Sequence, residues 1–158
     1  MKLAFAASVV LLLTVSCGQS SAFDFYGCIF RCPARLARSI GPSLIASSCP
    51  AWKMIQAYKD MVSANCKKCD KYFHCMGNYN AVHHCGANVL KNRLIAKAIS
   101  DCRELCQSEK KSSSAADQVA NRYGRNGGNC AGKYLCAYGC AYNPHNKSCK
   151  RKNCRRRG

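Results

Sequence analysis

Residues 90–106 read LKNRLIAKAISDCRELC, and this stretch decides the fold class. Leu90, Leu94, Ile95, Ala98, Ile99, Cys102, Leu105 and Cys106 recur at three- and four-residue steps, one apolar stripe held for over about four helical turns. Lys91, Lys97, Asp101 and Glu104 fall on the other side. The segment therefore predicts an amphipathic helix with its charged face in water.

The same period appears on either side of it. Trp52, Ile55, Tyr58 and Val62 form a stripe flanked by Met54 and Met61, and Asp70 to about His84 sets Tyr72, Cys75, Met76 and Tyr79 on one face. A fourth segment starts at Ser114, with Asp117 three residues on as a capping-box-like pair. It is expected to bury Ala116, Val119, Ala120 and Tyr123 and to stop at Gly127-Gly128. Short amphipathic helices cannot each bury a face alone, so the fold is read as all-α: a small antiparallel four-helix bundle over residues 51–128. A disulfide-stapled N-terminal segment (23–50) precedes it. There Pro33, Pro42 and Pro50 forbid one continuous helix. An irregular, cysteine-rich basic tail (129–158) follows.

The chain carries 25 Lys+Arg against 7 Asp+Glu, a formal charge of +18, and no acid follows Asp117. This balance argues against a cytosolic enzyme and for polyanionic partners, which by charge alone span glycosaminoglycans, anionic lipid or lipoprotein surfaces and nucleic acid. The only long apolar run, Leu3 to Val15 behind Lys2, is shorter than the roughly 20 residues a membrane span needs. It predicts a signal peptide over residues 1–22, cut before Phe23, with cuts after Gly18 or before Cys17 as competitors. Cleavage before Phe23 removes Cys17, one of 15 cysteines, and leaves an even number. That count suits an oxidised, secreted, extracellular protein. The predicted disulfide residues are Cys28, Cys32, Cys49, Cys66, Cys69, Cys75, Cys85, Cys102, Cys106, Cys130, Cys136, Cys140, Cys149 and Cys154. The N-terminal segment and the tail each hold an odd number of them, so each must send at least one bridge outside itself.

Cys66-Lys67-Lys68-Cys69 has the C-x-x-C form of a redox motif, but in so cysteine-rich a chain structural disulfides are the reading. His74, His83, His84, Cys75 and Cys85 are close in sequence, yet secretion and the even cysteine count oppose zinc, and no metal is expected. His83-His84 is placed at a helix end, where imidazolium is mildly favourable. No catalytic set and no cofactor motif emerges, so the chain is not read as an enzyme. Asn146-Lys147-Ser148 is a glycosylation sequon on Asn146. Lys147, Lys150, Arg151, Lys152, Arg155, Arg156 and Arg157 crowd the C-terminus and are the candidate polyanion-binding residues. Phe23, Phe25 and Phe30, in an aromatic cluster with Tyr26 and Ile29, are candidates for lipid contact, together with Trp52, Leu90, Leu94 and Ile95 of the helical stripes.

DKYFHCMGNYNA (70–81) resembles the DKYFHARGNYDA segment of the serum amyloid A family. Three further blocks follow the family in order. AYKDM (57–61) is similar to AYSDM, AKAISDCRE (96–104) to AEAISDARE, and SAADQVANRYGRNGG (114–128) to SLADQAANEWGRSGK. Cys75, Met76, Asn80 and Cys102 depart from the motif, and Asn143-Pro144-His145-Asn146 is only a loose echo of the family's tail. The resemblance implies a four-helix bundle with a tail packed over it. It also implies a secreted, inducible host-response protein that binds lipid or lipoprotein surfaces and heparan sulfate, with bacterial surfaces and retinol as further partners and a homo-oligomer in prospect. Nucleic acid is not among the partners. The alternative kept beside it is a secreted cationic, disulfide-rich antimicrobial protein or toxin acting on anionic membranes.

Overall fold

The computed structural model describes residues 45, 47–106, 111–136 and 139–150. The predicted signal peptide, Phe23, Phe25, Phe30, Cys28, Cys32 and the run from Arg151 to Arg157 with Cys154 lie outside the described residues. Among the described residues five helices run in chain order: α1 Cys49–Ala64, α2 Asp70–His83, α3 Val89–Cys106, α4 Lys111–Arg125 and α5 Cys130–Tyr134. The described residues hold no strand beyond one isolated antiparallel bridge, Asn143 to Ser148. No helix among them is long and apolar enough to cross a membrane.

Local chemistry fixes most ends. Ser48 caps α1, its Oγ accepting from the Ala51 N–H at 3.3 Å. Pro50 then occupies the first turn, where its missing N–H leaves nothing unpaired. The last of the three prolines thus helps to start a helix. Asn65, left-handed at φ 47°, closes α1 by donating to the Met61 carbonyl. At the end of α4 the Gly127 N–H bonds the Gly124 carbonyl and the Gly128 N–H the Tyr123 carbonyl, both at 3.0 Å. That is a Schellman stop at the expected Gly-Gly pair. The start of α4 differs from expectation: it begins at Lys111, so Asp117 stands in its second turn and caps nothing.

Helix α2 is the hub, packed against all four of the others. One core cluster joins Tyr72, Phe73, Cys75, Ala120, Cys130, Tyr134, Leu135, Cys140 and Tyr142; the other joins Met54, Ala81, Val82, Ile95, Ala96 and Ile99. Small residues let the backbones close up. A Cβ on Gly77 would meet the Ala57 Cβ at 3.2 Å, and one on Gly124 would stand 2.1 Å from the Cys75 carbonyl oxygen. Two stripes are therefore rotated from the sequence reading. On α1 the buried residues are Pro50, Ala51, Met54 and Ala57, whereas Trp52 is 60% exposed and Val62 also faces outward. On α4 Ala120 is buried, but Ala116 and Val119 are exposed. In both, the closest helix contacts are made by small residues: Ala57 against Gly77 and Gly124 against the Cys75 backbone.

Among the described residues, disulfides join elements far apart in sequence at Cys49–Cys85, Cys66–Cys149, Cys69–Cys140 and Cys75–Cys130. Cys102 and Cys136 are disulfide-bonded as well. Cys49 leaves the N-terminal segment and three tail cysteines return to the helices, as the parity argument requires. Part of the segment read as a tail belongs to the core, where Tyr142 packs on Phe73 at 4.7 Å and on Tyr72 at 5.5 Å between ring centroids.

Candidate functional site

The interior of the helical body is polar at its centre. α2 supplies His74 and Asn78, α3 supplies Ser100, Glu104 and the half-buried Arg103, and α4 supplies Asp117, Asn121 and Arg125. Asn121 Oδ1 lies 3.0 Å from His74 Nδ1 and accepts from Asn78 Nδ2 at 2.8 Å. Asn78 Oδ1 in turn accepts from Ser100 Oγ at 2.9 Å and from Arg125 Nη1 at 2.8 Å. The Arg103 guanidinium sits against His74 Nε2, and Lys71 Nζ bonds Asp117 Oδ1 at 2.6 Å. The network ties α2, α3 and α4 to one another with most of its donors and acceptors satisfied.

Its electrostatics follow from burial. His74 is 8% exposed and its pKa is pulled down to about 3, first by burial and then by the Arg103 charge. The ring is neutral at any physiological pH. With Arg103 at Nε2, its proton resides on Nδ1 and points to Asn121. Burial raises the Asp117 carboxyl more than the bond from Lys71 lowers it. Burial likewise raises Glu104 more than its hydrogen bonds from Ser114 and Asn121 lower it. Lys71 is pulled down by burial but raised further by Asp117 and Asp70. Arg125 is 5% exposed, with no carboxylate within 4 Å among the described residues, so burial lowers its pKa. It is a buried cation held by neutral oxygens.

Above this cluster a cavity of about 40 Å³ is lined on one side by Met54, Ala57, Tyr58, Met61 and Phe73 and floored by His74, Asn78, Ser100, Arg103 and Asn121. It has room for on the order of three ordered waters. Ligand atoms of His74, Glu104 and Asp117 gather within 4.8 Å of one another. Two positive side chains are already seated among them, Arg103 on the imidazole and Lys71 on Asp117, so a cation would have to displace one. Ser100 shares the cluster with His74, yet its hydroxyl faces Asn78 and the Ala96 carbonyl, while the ring is taken by Asn121 and Arg103. No Ser–His pair is assembled there.

The zinc grouping considered from sequence is not assembled: Cys75 and Cys85 are spent in disulfides and His83 and His84 are exposed at the end of α2. Cys66 and Cys69 bond to two different tail cysteines and not to each other, which removes the redox motif. Of the lipid candidates, Leu90 is 71% exposed, Leu94 52% and Trp52 60%, but Ile95 is 2% exposed and belongs to the core. Of the polyanion candidates, Lys147 is ion-paired to Asp60 at 2.9 Å, and Lys150 is exposed. Asn146 is exposed in the turn closed by the Asn143–Ser148 bridge, its Oδ1 accepting from Ser148 Oγ at 2.8 Å. Glu104, expected on a solvated face, is buried.

Sequence reading did not single out the polar cluster, because each member is polar and reads as surface. The available signal was spacing. His74 and Asn78, like Asn121 and Arg125, stand four residues apart on faces that also carry core residues. Every member also lies in one of the four blocks compared above.

A helical body clasped by disulfides around a buried polar centre is the class these observations define. The serum amyloid A protein family matches residues 45–139, well over half of the chain, and the chain belongs to that family. It is 44% identical over 82 residues to the serum amyloid A protein of Anas platyrhynchos, covering 49% of this chain and 61% of the relative. Against serum amyloid A-1 protein of Oryctolagus cuniculus it is 45% identical over 80 residues (49% and 62%), and against serum amyloid A-5 protein of Mesocricetus auratus 46% over 77 residues (47% and 72%). The chain spans about three fifths of the length of the first two relatives.

Proposed function

We propose that this is a secreted acute-phase protein of the innate response that docks on lipid or lipoprotein surfaces and on sulfated polysaccharide. Residues 1–22 direct its export, and the four longer helices form an antiparallel bundle. One observation carries the lipid reading: Leu90 and Leu94, one turn apart on α3, stand exposed, and so does Trp52 on α1. Cys49–Cys85 draws the start of α1 to the loop before α3, which puts the three residues toward the same end of the molecule. Lys91 is exposed between them, while Arg93 bonds Asn126 and Lys97 bonds Asp101. The formal charge of +18 adds attraction to anionic head groups. With Ile95 in the core, contact is made by the closed body. Bacterial surfaces, retinol and a homo-oligomer remain partners by family resemblance.

The test is co-flotation of the mature, oxidised protein with anionic and zwitterionic vesicles, at low salt and at about 0.15 M, where the Debye length is about 8 Å. Binding to both that survives salt supports apolar docking. Binding to anionic vesicles alone, lost with salt, sinks it. The cationic antimicrobial reading is favoured by the disulfide framework, which protects against proteolysis. Leakage of anionic vesicles together with bacterial killing would move it ahead.

A further inference from the structure

Three positions in the described residues, Lys67, Lys68 and Lys150, bring positive charge to one end of the molecule. Lys67 and Lys68 form the α1–α2 loop, both exposed and without a carboxylate within 4 Å among the described residues. Cys66–Cys149 sets the neighbouring backbones side by side, with 5.4 Å between Cα atoms. Lys67 follows Cys66 and Lys150 follows Cys149. At about 3.8 Å per residue their Cα atoms are therefore no more than about 13 Å apart. Cys69–Cys140, at 4.8 Å between Cα atoms, makes a second clamp one residue beyond Lys68. Gly139 lies close enough that a Cβ there would touch the Lys68 stem at 3.5 Å. Lys147, by contrast, spends its charge on Asp60. From Lys150 the chain continues as Arg151-Lys152.

We propose that the polyanion site is composite: Lys67 and Lys68 of the α1–α2 loop and Lys150 at the root of the basic run, assembled by Cys66–Cys149 and Cys69–Cys140 into one platform for a linear sulfated polysaccharide. This rests on the polyanion half of the proposed function and deepens it. Neither half suffices: the loop offers two charges, and the tail must be held beside them. A flexible linear polyanion gains when it can touch several cations at once, because each contact releases condensed counterions. The platform has a second property. The two bridges clamp the tail directly beside the loop, so reduction is expected to loosen the platform.

The test measures heparin binding of the mature, oxidised protein as a function of salt. The parent is compared with Lys67→Ser/Lys68→Asn, where Asn suits the left-handed backbone of position 68 (φ 60°). Lys59→Ser/Lys91→Ser removes equal charge from exposed positions on α1 and α3. Cys66→Ser/Cys149→Ser keeps every charge and opens one clamp, with helicity checked by circular dichroism. The loop variant is expected to lose on the order of 1.5 from the slope of log affinity against log salt, about 0.7–0.9 for each contact. It should elute at clearly lower salt than the charge-matched control, and the unclamped variant should fall between it and the parent. A loop variant that elutes with the control overturns the composite site while leaving a tail-only site standing. If the parent itself fails to stay on heparin at about 0.15 M salt, the polyanion half of the proposed function falls, and the platform with it.

Discussion

Gly124→Ala is expected to be strongly destabilising, although alanine is the better helix former by about 1 kcal/mol. The new Cβ would stand 2.1 Å from the Cys75 carbonyl oxygen and 3.1 Å from the Tyr79 nitrogen, both backbone atoms with no rotamer to change. Reaching even 3.0 Å requires α2 and α4 to part by about 0.9 Å. Three buried bonds cross that seam at 2.8–3.0 Å: His74 to Asn121, Asn78 to Asn121 and Arg125 to Asn78. Such a shift stretches them past 3.5 Å, at about 1 kcal/mol each, and strain from overpacking is of similar size. The net loss is about 3 kcal/mol or more, roughly a 10 °C lower melting temperature at about 2–4 °C per kcal/mol for a chain of this length. Gly77→Ala is the internal control. Its Cβ would meet the Ala57 Cβ at 3.2 Å and the Met54 Cα at an ordinary 3.8 Å, so it should stay within about 1 kcal/mol of the parent. Thermal and urea melts of the oxidised proteins decide it. A Gly124→Ala protein as stable as the parent would refute the close approach of α2 and α4.

Other outcomes follow from the same geometry. His74 titrates near 3 when folded and near 6.5 when unfolded, so below 6.5 the unfolded chain binds the extra proton. Its contribution to stability thus falls by up to about 1.4 kcal/mol per pH unit as pH drops from 6.5 toward 3. Asp117 and Glu104, with raised carboxyl pKa values, act in the opposite sense, so urea midpoints of the parent and His74→Gln across that range should be subtracted; a difference independent of pH would refute the assignment. Removing Cys49–Cys85 as a Ser pair should cost about 4 kcal/mol by loop entropy for its separation of 36 residues, read as a lower urea midpoint. Trp52→Ser/Leu90→Ser/Leu94→Ser should leave melting nearly unchanged while lowering binding to zwitterionic vesicles several-fold, because all three side chains face solvent.

Much of the helical body was legible. The period of residues 90–106 gives α3 almost to its ends, and Gly127-Gly128 stops α4 as read. Orientation was harder to read. Trp52 dominates any hydropathy stripe on α1, yet Ala51 and Ala57 are the buried positions, since helix backbones approach where side chains are small. On α3 the apolar stripe is wider than the surface available to cover it, so Ile95, Ile99 and Cys102 go inside while Leu90, Leu94 and Leu105 stay out. The polar cluster was legible only as unassigned residues. Nothing in one helix says that Asn78 will meet Arg125, 47 residues away, and only packing brings the two together.

The order of three of the tail's cross-links along the chain has a consequence for how they form. Cys75–Cys130 lies inside Cys69–Cys140, which lies inside Cys66–Cys149, so the three are nested like the teeth of a zip. Cys49–Cys85 needs only the first part of the chain and is free to close first. Once the innermost tooth has closed, the path between Cys69 and Cys140 shortens from 71 residues to about seventeen, which lowers its closure cost by about 1.3 kcal/mol. The outermost pair then gains about 1.6 kcal/mol in the same way, its 83 residues reduced to about thirteen. Among these three, oxidation is thereby biased to run from the centre of the helical body outward, and Cys66–Cys149, next to Lys150, is the last to set.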